Sequence, residues 1–189
     1  MYISGEDKSA INPSLRRTIF AVAVKERGEP AFEAIKNEFL TTSSIDGKEI
    51  CLRSLGHVQT PELAKKVLEF IFSDKVAMQD KHSGTIVLAS NAKARPEVWN
   101  FVRNNWDSAI YPTLSGNIVV LERFLRFGLN KFADEKVADE IAAFFKGKDN
   151  RGYDKGLEVI DDTIRSHAKY KNRDEGVVRE WLKANGYIQ

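Results

Sequence analysis

Apolar residues recur along this chain at three- and four-residue spacings, and proline, glycine or short polar runs interrupt them at regular intervals. Leu15, Ile19, Val22 and Ala23 fall on one helical face, with Asn12 as cap, Pro13 at the first helical position and Gly28 as the stop. Pro30 opens the next segment, which carries Phe32, Ile35 and Phe39 on one side and ends in a Thr-Thr-Ser-Ser run. The two read as a helical hairpin. A second pair follows: Asp46 leads into Ile50, Cys51, Leu52 and Leu55, closed by Gly56. Thr60-Pro61-Glu62 then caps a helix bearing Leu63, Val67, Leu68, Phe70 and Ile71.

The third pair spans Val76 to Tyr111. Its first helix holds Ile86, Val87 and Leu88, with Gly84 lowering helix propensity by about 1 kcal/mol relative to Ala and pointing to close helix packing. Its second, Arg95 to Asp107, collects Trp99, Phe101, Val102 and Trp106, and is expected to anchor the core; Pro112 and Gly116 mark the break after it. A fourth pair carries Ile118, Leu121, Phe124, Leu125 and Leu129, then Val137, Ile141, Phe144 and Phe145. A fifth carries Leu157, Ile160 and Ile164, then Val177, Val178, Trp181 and Leu182, ending at Gly186.

No stretch keeps a two-residue alternation, so the expected fold is all-α. About ten helices in antiparallel pairs, one pair every ~30 to 40 residues, form a HEAT- or armadillo-like curved solenoid. Residues 1–189 are then a single α-helical domain. The pairs share no residue-level consensus, which keeps a compact ten-helix bundle as the alternative.

Composition narrows the function classes. With 29 basic and 27 acidic residues spread along the chain and no basic block, a nucleic-acid footprint is not indicated. No apolar run approaches the roughly 20 residues of a membrane span. The start, M-Y-I-S-G-E-D-K, lacks the basic-then-apolar order of a signal peptide. One cysteine, Cys51, precludes an intramolecular disulfide and fits a reducing, cytoplasmic setting. It lies within an apolar pattern and reads as a buried small hydrophobe rather than a reactive thiol.

Catalytic and metal-ligating patterns are missing. His57, His82 and His167 stand far apart, in no zinc-ligand spacing, and there is no phosphate-binding glycine loop or nucleophile elbow. Asp139-Glu140 and Asp161-Asp162 are adjacent acids on expected helix surfaces, read as solvated faces. Asp134 and Glu135 suit the first turn of a helix. Arg123 and Arg126, three apart, share a helix face. They read either as a snorkelling pair at the core edge or as an anion-facing pair, since arginine forks hold carboxylates.

Three stretches carry a family resemblance: L-R-S-L-G-H-V-Q-T-P-E-L from Leu52 to Leu63, R-P-E-V-W-N-F-V-R-N-N-W from Arg95 to Trp106, and the run from Phe132 to Phe145 ending K-V-A-D-E-I-A-A-F-F. In order and spacing they resemble the C-terminal helical, HEAT-like domain of gluzincin zinc aminopeptidases, which include puromycin-sensitive, endoplasmic-reticulum and fungal cytosolic enzymes. Arg95, Trp99, Phe101, Asn105 and Trp106 form the structural signature; Val98 stands where the family has alanine. Residues 45 to 185 are mostly covered, and the first ~40 match only as helical repeats.

The resemblance implies a C-terminal fragment of a larger aminopeptidase. Zinc and the catalytic residues would belong to the parent's catalytic domain, so this fragment would contain neither cofactor nor catalytic group. Its role would be to cover the active site and limit or orient peptide substrates. Arg123 and Arg126 would be its substrate-contacting residues, with Arg123 on the position of an arginine in the puromycin-sensitive branch. The implied partners are the peptide substrate and the catalytic domain of the same chain, with no nucleic acid and no membrane. Exposed apolar residues around Leu15, Ile19 and Val22 would support self-association of the fragment. The competing expectation is a free-standing HEAT-like scaffold that binds a protein partner.

Overall fold

The computed structural model describes residue 7 and residues 9–189, so the remaining residues of the polar start lie outside the described residues. Two compact units divide the chain, the first ending at Leu129 and the second spanning Asn130–Gln189. Among the described residues every regular element is helical, as the absence of two-residue alternation predicts.

In the first unit a 3-10 turn, Pro13–Leu15, leads into α1 (Arg16–Arg27), and the Asn12 side chain accepts from Ser14 N at 3.0 Å. Gly28, at φ +60°, closes α1 and opens α2 (Glu29–Thr41), a reversal that an L side chain would strain. Ser44 caps α3 (Ile45–Leu55) by accepting from Gly47 N, and Thr60 caps α4 (Pro61–Ile71) by accepting from Leu63 N. These caps satisfy amides that have no partner inside their helices. Then come α5 (Lys81–Ser90), α6 (Arg95–Asn105), a π-helical segment Trp106–Ile110, α7 (Tyr111–Leu114) and α8 (Ile118–Leu129).

Packing joins the apolar faces in a stacked pattern. α1 lies on α2 and α3, α3 on α5, and α5 on α8, while α4 packs on α5 and α6. Phe20, Phe32, Ile35, Leu52, Leu55 and Leu68 are buried between these helices. The close approach expected at Gly84 is present. A Cβ there would stand 2.7 Å from Ile71 Cδ1 and 3.1 Å from Leu52 O. The break expected from Pro112 and Gly116 lies between those two residues, after Leu114. Proline sits in the first turn of α7, where its missing N–H costs nothing, and the chain stays helical through it.

In the second unit α9 (Glu135–Phe145), capped by Asp134 accepting from Lys136 N at 2.9 Å, packs on α10 (Asp154–Ala184). Here the pairing expected from the sequence needs correction. The apolar face of α8 is buried on α5 in the first unit, and that of α9 on α10 in the second. The supposed fifth pair is one 31-residue helix. Residues 165–176 contain no proline, and ion pairs from Lys171 and Arg179 to Glu175 carry the helix across the expected gap. Ile160, Ile164 and Ala168 are buried, whereas Val177, Val178 and Trp181 are exposed.

Candidate functional site

The densest aromatic helix is structural in its geometry. Trp99, Phe101 and Trp106 are buried, and the Trp106 ring lies 5.7 Å from that of Tyr111. Phe72, just past α4, contacts Phe101 at 5.1 Å and Phe124 at 5.3 Å, joining the end of α4 to α6 and α8. Arg95 Nε donates to Ala89 O at 2.7 Å, satisfying a carbonyl in the last turn of α5, and partial burial pushes the guanidinium below its ordinary value. Asn105 Nδ2 donates to Phe101 O at 3.0 Å where the helix widens into the π segment. All five signature residues therefore hold helix ends or core.

Arg123 and Arg126 are both on the solvent face of α8, between buried Leu121, Phe124 and Leu125. Arg126 pairs with Glu122 at 3.4 Å and lies over the Phe127 ring at 5.9 Å. Arg123 is exposed and forms no ion pair among the described residues. Such an exposed guanidinium is available to a carboxylate.

The second unit holds a groove of 540 Å³ along α9 and α10, floored by Ile141, Phe145, Leu157 and Ile160. Asp161, expected as a solvated acid, accepts from Arg165 Nε at 2.8 Å, and Asp139 accepts from Arg165 Nη2 at 2.7 Å. Arg165 thereby ties α10 to α9, and the two carboxylates raise its pKa. Asp162 stays exposed.

Metal chemistry finds no donor set. Among the described residues no group of three or more His, Cys, Asp or Glu could hold a metal ion. Cys51 is fully buried. His57 is half-buried at the turn after α3, His82 Nδ1 lies 2.7 Å from Gln79 O, and His167 Nδ1 lies 3.2 Å from Phe132 O. These residues do not fit a zinc site. Among the described residues no helix is long and apolar enough to cross a membrane.

Comparison with known proteins places this geometry in a family. The model of the ERAP1-like C-terminal domain matches residues 1–166. The chain belongs to that family. It is 33% identical over 189 residues to Aminopeptidase 2 of Candida albicans and 32% identical over 186 residues to Aminopeptidase 2, mitochondrial, of Saccharomyces cerevisiae. To human Aminopeptidase N it is 19% identical over 188 residues. The matches cover 97 to 100% of this chain but only about a fifth of each relative: 20%, 19% and 19% respectively. The resemblance carried by the tryptophan helix thus led to the right family.

Sequence reasoning missed one residue in this ERAP1-like C-terminal domain that shapes it most visibly. Lys81, 3% exposed, opens α5 and donates to the carbonyls of Ile71, Ser73 and Val76. A lysine before an apolar run looks like an ordinary surface charge, and nothing in its spacing signals three carbonyls converging on it. The Asn150 and Asp161 oxygens in the groove escaped for the same reason.

Proposed function

We propose that residues 1–189 form one non-catalytic, HEAT-like domain of a zinc-dependent, cytoplasmic aminopeptidase. The domain covers the active site in the parent's catalytic domain and limits or orients the peptides that reach it. The carrying observation is the match to the ERAP1-like C-terminal domain, together with relatives called aminopeptidases that extend far beyond the aligned fifth.

The physical role follows from enclosure. A helical wall closing over a reaction chamber excludes water and makes turnover depend on opening and closing. Arg123, with Arg126 beside it, supplies a guanidinium whose fork suits a peptide carboxylate. A peptide long enough to span from the catalytic site to that arginine is held at both ends, and a shorter one is not.

The deciding experiment compares the purified chain with the longer enzyme on aminoacyl-anilide substrates, zinc present in both. The chain alone is expected to release no product and the longer enzyme to turn over. Hydrolysis by the pure chain at a rate near that of the longer enzyme sinks the reading.

A further inference from the structure

The end of α10 is closed by a complete capping motif. Gly186, at φ +74°, donates its N–H to Lys183 O at 3.1 Å, and Tyr187 N donates to Leu182 O at 3.0 Å. These are the paired bonds of a glycine-terminated helix. Asn185 reinforces them: its Nδ2 donates to Trp181 O at 2.8 Å, and the Trp181 and Tyr187 rings stack at 5.8 Å. From Lys169 onward no described residue of the chain is buried, so the last turns depend on this cap rather than on packing.

The residues that build the cap are also a reactive pair. Of the chain's asparagines only Asn185 precedes a glycine. A main-chain nitrogen can attack the side-chain carbonyl carbon of the preceding asparagine when no Cβ shields it, and glycine alone lacks one. Both residues are exposed, and nothing lies within 4 Å of where a Cβ of residue 186 would stand, so water and base reach them. In the closed cap the Gly186 N–H is engaged by Lys183 O and the Asn185 amide is turned back to Trp181 O. Fraying releases both together, and a helix end without packing frays readily.

We propose that Asn185–Gly186 is a site of spontaneous deamidation and that the reaction unlatches the end of α10. The Gly186 nitrogen gives its proton to solvent base and bonds to Asn185 Cγ. The Cγ–Nδ2 bond breaks and ammonia leaves, closing a cyclic imide. Water opens the imide at either carbonyl, giving aspartate or isoaspartate with nothing oxidised or reduced. The aspartate carboxylate cannot donate to Trp181 O, and it puts negative charge on the negative end of the helix dipole. Isoaspartate lengthens the main chain by a methylene, which pulls the Gly186 and Tyr187 amides off their carbonyls.

The test holds the purified 189-residue chain in warm, mildly alkaline buffer and follows its asparagines by peptide mapping. Asn172, exposed on the same helix and followed by Arg173, is the internal reference. Acid product and isoaspartate-specific methylation are expected at position 185 while Asn172 stays intact. The converted chain, and Asn185→Asp made directly, should lose about one turn of helical ellipticity and exchange the Tyr187 amide faster. Tyr187→Ala removes the stacked ring without touching the reacting atoms and should speed conversion. Asn185→Gln should stop it, because the longer side chain must close a larger ring. Conversion no faster at Asn185 than at Asn172 overturns the site. Unchanged ellipticity and amide exchange in the product, or a wild-type rate in Tyr187→Ala, overturns the latch. Neither outcome bears on turnover, so the aminopeptidase reading stands or falls separately.

Discussion

The ammonium of Lys81 donates to the carbonyl oxygen of Ile71, the last residue of α4, at 2.8 Å. Ser73 O at 3.0 Å and Val76 O at 2.9 Å complete the set, and the Phe72 ring lies 5.4 Å from the charge. The side chain thus performs the capping that the end of α4 needs while holding the connection to α5. Lys81→Met keeps the stem and removes the donors, leaving up to three carbonyls short of partners. We expect a loss of about 2 to 4 kcal/mol, read as a lowered urea midpoint with an unchanged slope. A midpoint within error of the wild type would remove the clasp from the account.

Gly84 and Gly128 make a matched pair of tests. At Gly84 a Cβ meets Ile71 and the Leu52 carbonyl within 3.1 Å, so Gly84→Ala should cost about 1 to 2 kcal/mol net of its helix-propensity gain. At Gly128 the nearest atoms, on Thr85 and Val98, stand at 3.4 Å. Gly128→Ala should therefore be neutral or stabilising by up to about 1 kcal/mol. The melting temperature should fall for Gly84→Ala and stay level or rise for Gly128→Ala.

His57 provides a pH dependence. Burial, and then the charge of Lys25, push its pKa below the ordinary 6.5. The fold favours the neutral ring, so its contribution is complete above pH 6.5 and is lost as pH falls through the lowered folded value. Denaturant midpoints should drop on acidification across that window, and His57→Gln should flatten the drop. An equal drop in both proteins would assign the dependence to other groups.

On α8, exposure separates function from stability. Arg123→Ala and Arg126→Ala remove no core contact, so each should change stability by no more than about 0.5 kcal/mol. In the parent enzyme, Arg123→Ala should raise KM for long peptides while leaving short anilides unchanged. A uniform change across both substrate lengths would leave Arg123 without a peptide-contacting role.

Self-association is the remaining expectation. Leu15 and Val22, 53% and 52% exposed, stand with Ile19 on one face of the first helical stretch. On α10, Val177 and Trp181 are exposed, with the Trp181 ring stacked on Tyr187 at 5.8 Å. Light scattering should show mass rising with concentration, and Val22→Glu should suppress the rise without lowering the melting temperature. A strict monomer at high concentration would count against both faces.

Helix positions were legible because each apolar face repeats locally and several starts have a cap or an opening proline. Asn12 and Thr60, expected as caps, accept the amides of Ser14 and Leu63, whereas Asp134, expected in the first turn, is itself the cap of α9. In sequence Ser44 belongs to a polar run like any other, and only the structure makes it the cap of α3. The missing break in α10 was not legible, because the polar residues between Ile164 and Val177 suit a loop and an exposed helix equally well. Only whether a neighbouring helix covers them distinguishes the two.

Sequence alone determined the helical class, the burial of Cys51 and the tryptophan helix, the close contact at Gly84 and the family, since each depends on local pattern or residue order. Tertiary structure decided what depends on convergence between distant residues. It put Lys81 beneath three carbonyls, tied Arg165 to Asp139 and Asp161, and left two oxygens in the α9–α10 groove without donors. A side chain's partner is set by how helices pack in space, and the spacing of residues along one helix does not encode that.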